Sequence, residues 1–65
     1  MPKTFYRDVV REVRKLGWER VAGGKGSHER FTKEGKKRKL TIPFNLYSRN
    51  LANAILRDAG SSKRV

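Results

Sequence analysis

The chain has one histidine, His28, which closes the triplet Gly26-Ser27-His28 behind a glycine-rich stretch, Gly23-Gly24-Lys25-Gly26. Lys25 precedes it and Arg30 lies two residues further on. An imidazole can take or give a proton near neutral pH. Cleaving RNA needs such a group, to handle the proton of the 2′-hydroxyl or of the leaving 5′-oxygen. Lys and Arg nearby can stabilise the charge that builds on the phosphorus in the transition state. Lys25, Arg30, Lys37 and Lys39 are the candidates for that role and for phosphate contact, and Ser27 can position the turn or the phosphate. A lone strand histidine can equally be plain exposed surface. The residues by themselves leave the two readings open.

Metal chemistry has little to build on. One His, no Cys and 6 Asp plus Glu scattered along the chain show no ligand spacing and no acidic pair of the two-metal nuclease kind. No metal and no cofactor are expected. Chemistry without a metal requires the substrate to carry its own nucleophile. That points to RNA, whose 2′-hydroxyl attacks the adjacent phosphate, rather than to DNA. Gly23-Gly24-Lys25-Gly26 lacks the Gly-Lys-Ser/Thr ending of a nucleotide-binding loop and reads either as a simple hairpin turn or as a flexible turn whose backbone N–H groups approach a backbone phosphate. The run Lys36-Lys37-Arg38-Lys39 is either a rim that grips phosphates or a solvated edge that discourages strand aggregation.

These residues need elements to hold them. Tyr6, Val9, Val10, Val13 and Leu16 recur at helical spacing, so a helix is expected from Phe5 to Leu16, capped by Thr4 and ended by Gly17. Trp18–Ala22, Ser27–Lys33 and Lys37–Ile42 read as three strands joined by short turns, with Pro43 ending the third. Ser48 is the expected N-cap of a second helix that stops before Gly60. On it Leu51, Ile55 and Ala59 form one apolar row, with Ala52 and Leu56 beside them. Trp18 and Tyr6 read as core; Phe44 and Tyr47, in the connection before the second helix, are freer to touch a partner.

The order is α-β-β-β-α, an α+β fold with a three-stranded antiparallel sheet. Each strand has only one or two large apolar residues, so both helices belong on one face and the other face stays open, basic and wet. That is the architecture of a double-stranded-RNA-binding domain. Within the second strand Phe31 is the inward residue, and His28 lies three positions away. An odd separation puts His28 on the opposite, open face. Residues 1–60 form a single domain, and Ser61–Val65 is expected to be a flexible tail.

Composition agrees with a polyanionic partner. The 65 residues include 17 Lys plus Arg against 6 Asp plus Glu, a formal net charge of +11. So large an excess favours binding to phosphates through counterion release. No apolar run approaches the roughly 20 residues of a membrane span, and the N-terminus does not read as a signal peptide, so no membrane partner is expected and a cytoplasmic location is the default.

In this order and approximate spacing, Gly17-Trp18, Gly26-Ser27-His28 with Phe31, Ile42-Pro43, Ile55-Leu56 and Ala59-Gly60 resemble the HicA family. The resemblance runs from about Tyr6 to Gly60. It implies a double-stranded-RNA-binding-type fold and a toxin that stops translation as an endoribonuclease cleaving mRNA. It also implies that His28 is the catalytic residue and that a HicB-type antitoxin protein binds and blocks the active site. Many members carry a second histidine shortly after the strand-ending proline; this chain has Phe44-Asn45 there, so a two-histidine mechanism is out of reach. Where the family often has Gly-Thr-Leu entering the last helix, Asn50-Leu51-Ala52 stands here. A non-catalytic RNA-binding module of the same fold is the alternative reading.

Overall fold

A computed structural model describes residues 4–21 and 28–65. Helix α1 spans Tyr6–Lys15 and strand β1 Glu19–Val21, followed by β2 (His28–Thr32), β3 (Leu40–Pro43) and helix α2 (Arg49–Asp58). The strands form one antiparallel sheet in the order β1-β2-β3. Val9 and Val13 of α1 and Ala52, Ile55 and Leu56 of α2 share a single core with Phe31, Leu40 and Ile42 of the sheet. Both helices therefore cover one sheet face, as in a double-stranded-RNA-binding domain. Among the described residues, no helix is long and apolar enough to cross a membrane.

Each helix ends in the same way. Gly17 and Gly60 both take positive φ, 100° and 93°. At α1 the Gly17 N–H donates to Arg14 O and the Trp18 N–H to Val13 O, at 3.0 and 3.1 Å. At α2 the Gly60 N–H donates to Arg57 O and the Ser61 N–H to Leu56 O, at 3.0 and 2.9 Å. These paired bonds satisfy carbonyls that the helix itself leaves open, and glycine reaches the required φ without a Cβ clash. The Trp18 indole then donates to Ala59 O at 3.0 Å, tying the end of α1 to the end of α2. Trp18 is buried, and its N–H finds a partner in a carbonyl at the end of α2.

The start of α1 differs from expectation. Its N-cap is Phe5, not Thr4, and no side chain caps it. The Phe5 N–H instead donates to Leu46 O at 2.8 Å, so the loop before α2 holds the chain entering α1. Ser48 does cap α2, its Oγ accepting from the Leu51 N–H at 3.2 Å.

Three placements around the core also differ from expectation. Leu51 is 47% exposed, because the buried stripe of α2 runs along Ala52, Ile55, Leu56 and Ala59 and Leu51 falls to one side of it. Leu46 takes a place in the core from within the connection, 1% exposed. Tyr6 is half-buried against the core rather than inside it. Strand β3 starts at Leu40, so Lys37, Arg38 and Lys39 lie outside it. Its ladder with β2 stops at the Phe31–Leu40 pair, and four successive cations repel one another without a partner strand to hold them extended. Pro43 is the last residue of this edge strand, where its missing N–H costs no central ladder bond. Beyond α2, the Val65 N–H donates to Asn53 Oδ1 at 2.8 Å, and the Val65 side chain packs against the core.

Candidate active site on the open sheet face

Strand alternation builds this site. Along β2, Phe31 is 1% exposed and faces the helices, opposite Leu40 on β3. His28 and Arg30 are exposed and point the other way. The ladder runs without a break from His28–Pro43 through Glu29–Ile42 and Arg30–Thr41 to Phe31–Leu40, so no bulge disturbs the alternation between His28 and Phe31. On the far side of β2, Val21 of β1 pairs with Arg30. The open face thus presents an imidazole and a guanidinium two residues apart, about 7 Å along the strand, with Thr41 and Pro43 beside them.

The structure places Lys39 beyond the Arg30 end of the ladder and not beside His28. Lys39 is exposed and directly precedes Leu40, four residues before the partner of His28. Lys39 is therefore about 13 Å from the His28 end of the ladder, and Lys37 lies further out in the exposed turn. Lys25 and Ser27 lie outside the described residues, as do Ala22 and the glycine-rich stretch.

Glu29, between His28 and Arg30, carries weight that its position in the sequence did not disclose. Its side chain turns to the helix face, 13% exposed, and its carboxylate pairs with Arg20 of β1 at 3.3 Å. Arg20 lies opposite Phe31, so the pair is a diagonal one across the β1–β2 ladder. The Tyr6 hydroxyl of α1 is pushed up to about 12, by burial first and then by the neighbouring Glu29 carboxylate, against the opposing pull of Arg20 and Arg14. Tyr6, Arg20 and Glu29 hold α1, β1 and β2 together on the side of the strand that His28 does not use. The only sequence signal for this group is a Glu and an Arg on adjacent strands, and it becomes visible once the register is known.

Chemically, the open face can receive a phosphodiester. An exposed imidazole can move a proton, and an adjacent guanidinium can balance charge on a phosphate. No His, Cys, Asp and Glu side chains gather in threes or more among the described residues. His28 and Arg30 take part in no ion pair among the described residues.

The family model of the HicA toxin of bacterial toxin–antitoxin systems matches residues 6–61. No curated protein and no solved structure matches the chain. The matched span takes in both helices, all three strands and the open face, and it covers most of the 65 residues. The chain therefore belongs to the HicA toxin family, toxins that are paired with an antitoxin partner.

Proposed function

We propose that this toxin is an endoribonuclease that cleaves mRNA without a metal ion and so inhibits translation. His28 is its general acid or base, and a HicB-type antitoxin neutralises it by covering the open sheet face. The observation that carries this reading is the exposure of His28 beside Arg30 on the face that the helices leave bare. In the reaction the 2′-oxygen of the RNA attacks the adjacent phosphorus. The O2′–P bond forms and the P–O5′ bond breaks, which leaves a 2′,3′-cyclic phosphate and a 5′-hydroxyl. His28 either takes the 2′-hydroxyl proton or gives one to the departing 5′-oxygen. Arg30 balances the phosphate charge, and Lys25, Ser27, Lys37 and Lys39 extend the contact along the RNA backbone. The ground for metal-independent chemistry is one His, no Cys and 6 scattered Asp plus Glu that show no ligand spacing and no acidic pair. A cytoplasmic site of action follows from the mRNA substrate.

The test is cleavage of a long mRNA by the purified protein in EDTA, beside His28→Ala prepared identically. Discrete new ends carrying a cyclic phosphate, from the parent alone, are expected. Equal cleavage by both proteins would move the chemistry to another group. RNA bound by both and cut by neither would make the chain a non-catalytic RNA-binding module.

A further inference from the structure

The sheet has two edges, and they are not alike. β1 is a short edge that begins with an acidic residue, Glu19. β3 is the other edge, and the pairing of its ladder shows which backbone groups it leaves free. In an antiparallel ladder, pairs that exchange both backbone bonds alternate with pairs whose N–H and C=O groups point away from each other. Pro43 has no N–H, so the His28–Pro43 pair is not of the bonding kind. The bonding pairs are then Glu29–Ile42 and Phe31–Leu40, and Arg30–Thr41 is of the outward kind. The Thr41 N–H and C=O therefore point off the free edge of the sheet. No turn, loop or side-chain hydrogen bond among the described residues uses either of them.

A groove of about 320 Å³ lies along this edge, between Leu40 and Thr41 on the sheet side and Ile55 on α2. Trp18, Leu40 and Ile55 are buried and give it an apolar floor. Arg38 and Lys39 also line it, exposed and without an ion-pair partner among the described residues. Against these two cations stands one carboxylate, Asp58, so the lining is net positive.

We propose that the β3 edge is a strand-docking site for an extended acidic segment of the antitoxin, which adds to the sheet as a fourth strand beside Thr41. Family membership supplies the antitoxin partner, and the inference does not rest on the ribonuclease reading. Main-chain bonds to Thr41 give the segment its register, and apolar side chains over the groove floor select it. Its carboxylates meet Arg38 and Lys39 in the field of a chain of net charge +11. A second copy of the toxin carries the same charge, and a lysine beside an edge strand opposes edge-to-edge pairing. On β1, Glu19 would repel the same acidic segment. Two strand spacings put the added strand about 10 Å from β2. It therefore anchors the antitoxin at the margin of the face that carries His28 and Arg30.

The test is amide hydrogen exchange, read residue by residue by NMR on isotope-labelled toxin, free and bound to its unlabelled cognate antitoxin. In the complex the Thr41 amide should exchange at least about a hundred-fold more slowly than in the free toxin. The Leu40 and Ile42 amides, already bonded to β2, should change less. Thr41→Pro removes the outward N–H at an edge position that tolerates proline, and should weaken antitoxin binding on the order of ten-fold. Thr41→Val keeps the N–H and should bind as the parent does. Melts of both variants are compared with the parent, and the exchange measurement decides the matter if Thr41→Pro does not fold. Arg38→Glu combined with Lys39→Glu should slow association on the order of ten-fold. An unprotected Thr41 amide in a complex that shifts the His28 and Arg30 resonances would overturn the fourth strand and leave the covered open face standing. Protection at Thr41 without those shifts would keep the strand and sink the covered face. A folded Thr41→Pro that binds the antitoxin at parent affinity would overturn the strand. So would protection of Thr41 by single-stranded RNA alone, or by a rise in toxin concentration alone, which would assign the edge to nucleic acid or to a second copy.

Discussion

The two sides of β2 are made from alternating residues of one five-residue strand, yet their surroundings are opposites. On the helix side Phe31 is 1% exposed, and Glu29 is tied to Arg20 at 3.3 Å and lies against Tyr6. On the open side His28 and Arg30 face solvent, opposite Pro43 and Thr41. One side is finished by the chain's own side chains. The other leaves an imidazole and a guanidinium exposed, with no ion-pair partner among the described residues. The strand teaches that packing and exposure can be assigned to odd and even positions of the same segment, so substitutions one residue apart should have unlike consequences.

The largest break in this comparison comes from the helix side. Phe31→Ala removes a fully buried ring and leaves a cavity at the centre of the core, which should cost about 3–5 kcal/mol. For so small a domain that is most of the available stability, so the melt should fall sharply or vanish. A melt within a few degrees of the parent would show that Phe31 is not the keystone of this face. Next to it, Arg30→Gln should leave the melt in place. It should weaken RNA binding and reduce the slope of log affinity against log salt by about 0.7, as expected for one lost phosphate contact on single-stranded RNA. An unchanged slope would remove Arg30 from the RNA path.

A finer distinction lies with Tyr6. Its hydroxyl is raised from 10.0 to about 12, so the folded state keeps this proton more tightly than the unfolded chain does. The corresponding stabilisation is complete below the unfolded value and is lost as pH rises from about 10 toward about 12. Tyr6→Phe should therefore lose stability less steeply than the parent over that window, measured as the difference between their melts. Parallel curves would mean that the hydroxyl is not held by burial and Glu29.

How much of this was legible depends on whether a feature is local. The two glycine ends, Gly17 and Gly60, and the Ser48 cap follow from residue type at a helix boundary, and all three are found. The face of His28 followed from counting three positions to Phe31, because strand alternation is a local property once no bulge intervenes. Features fixed by distant partners were not readable. Leu46 enters the core from a connection with no periodicity, and its carbonyl accepts the Phe5 N–H at the start of α1, where residue type points to a Thr4 cap. Leu51 was misplaced by one helix position, the limit of what a stripe of mixed Ala and Leu can define. For the site, the pairing of Glu29 with Arg20 and the separation of Lys37 and Lys39 from His28 both depend on where the ladder starts and stops. The hairpin residues Lys25 and Ser27 fall outside the described residues, so their part in the site rests on sequence alone.

The division of labour within β2 is tested most directly by the single-turnover cleavage rate of His28→Ala, measured on protein whose thermal melt has been compared with that of the parent. Coincident melts are expected, with a rate lowered by about 10²- to 10⁴-fold, the usual range for a lost general acid or base. A variant that cuts at the parent rate, or one that loses cleavage only because it loses its fold, would contradict that division of labour.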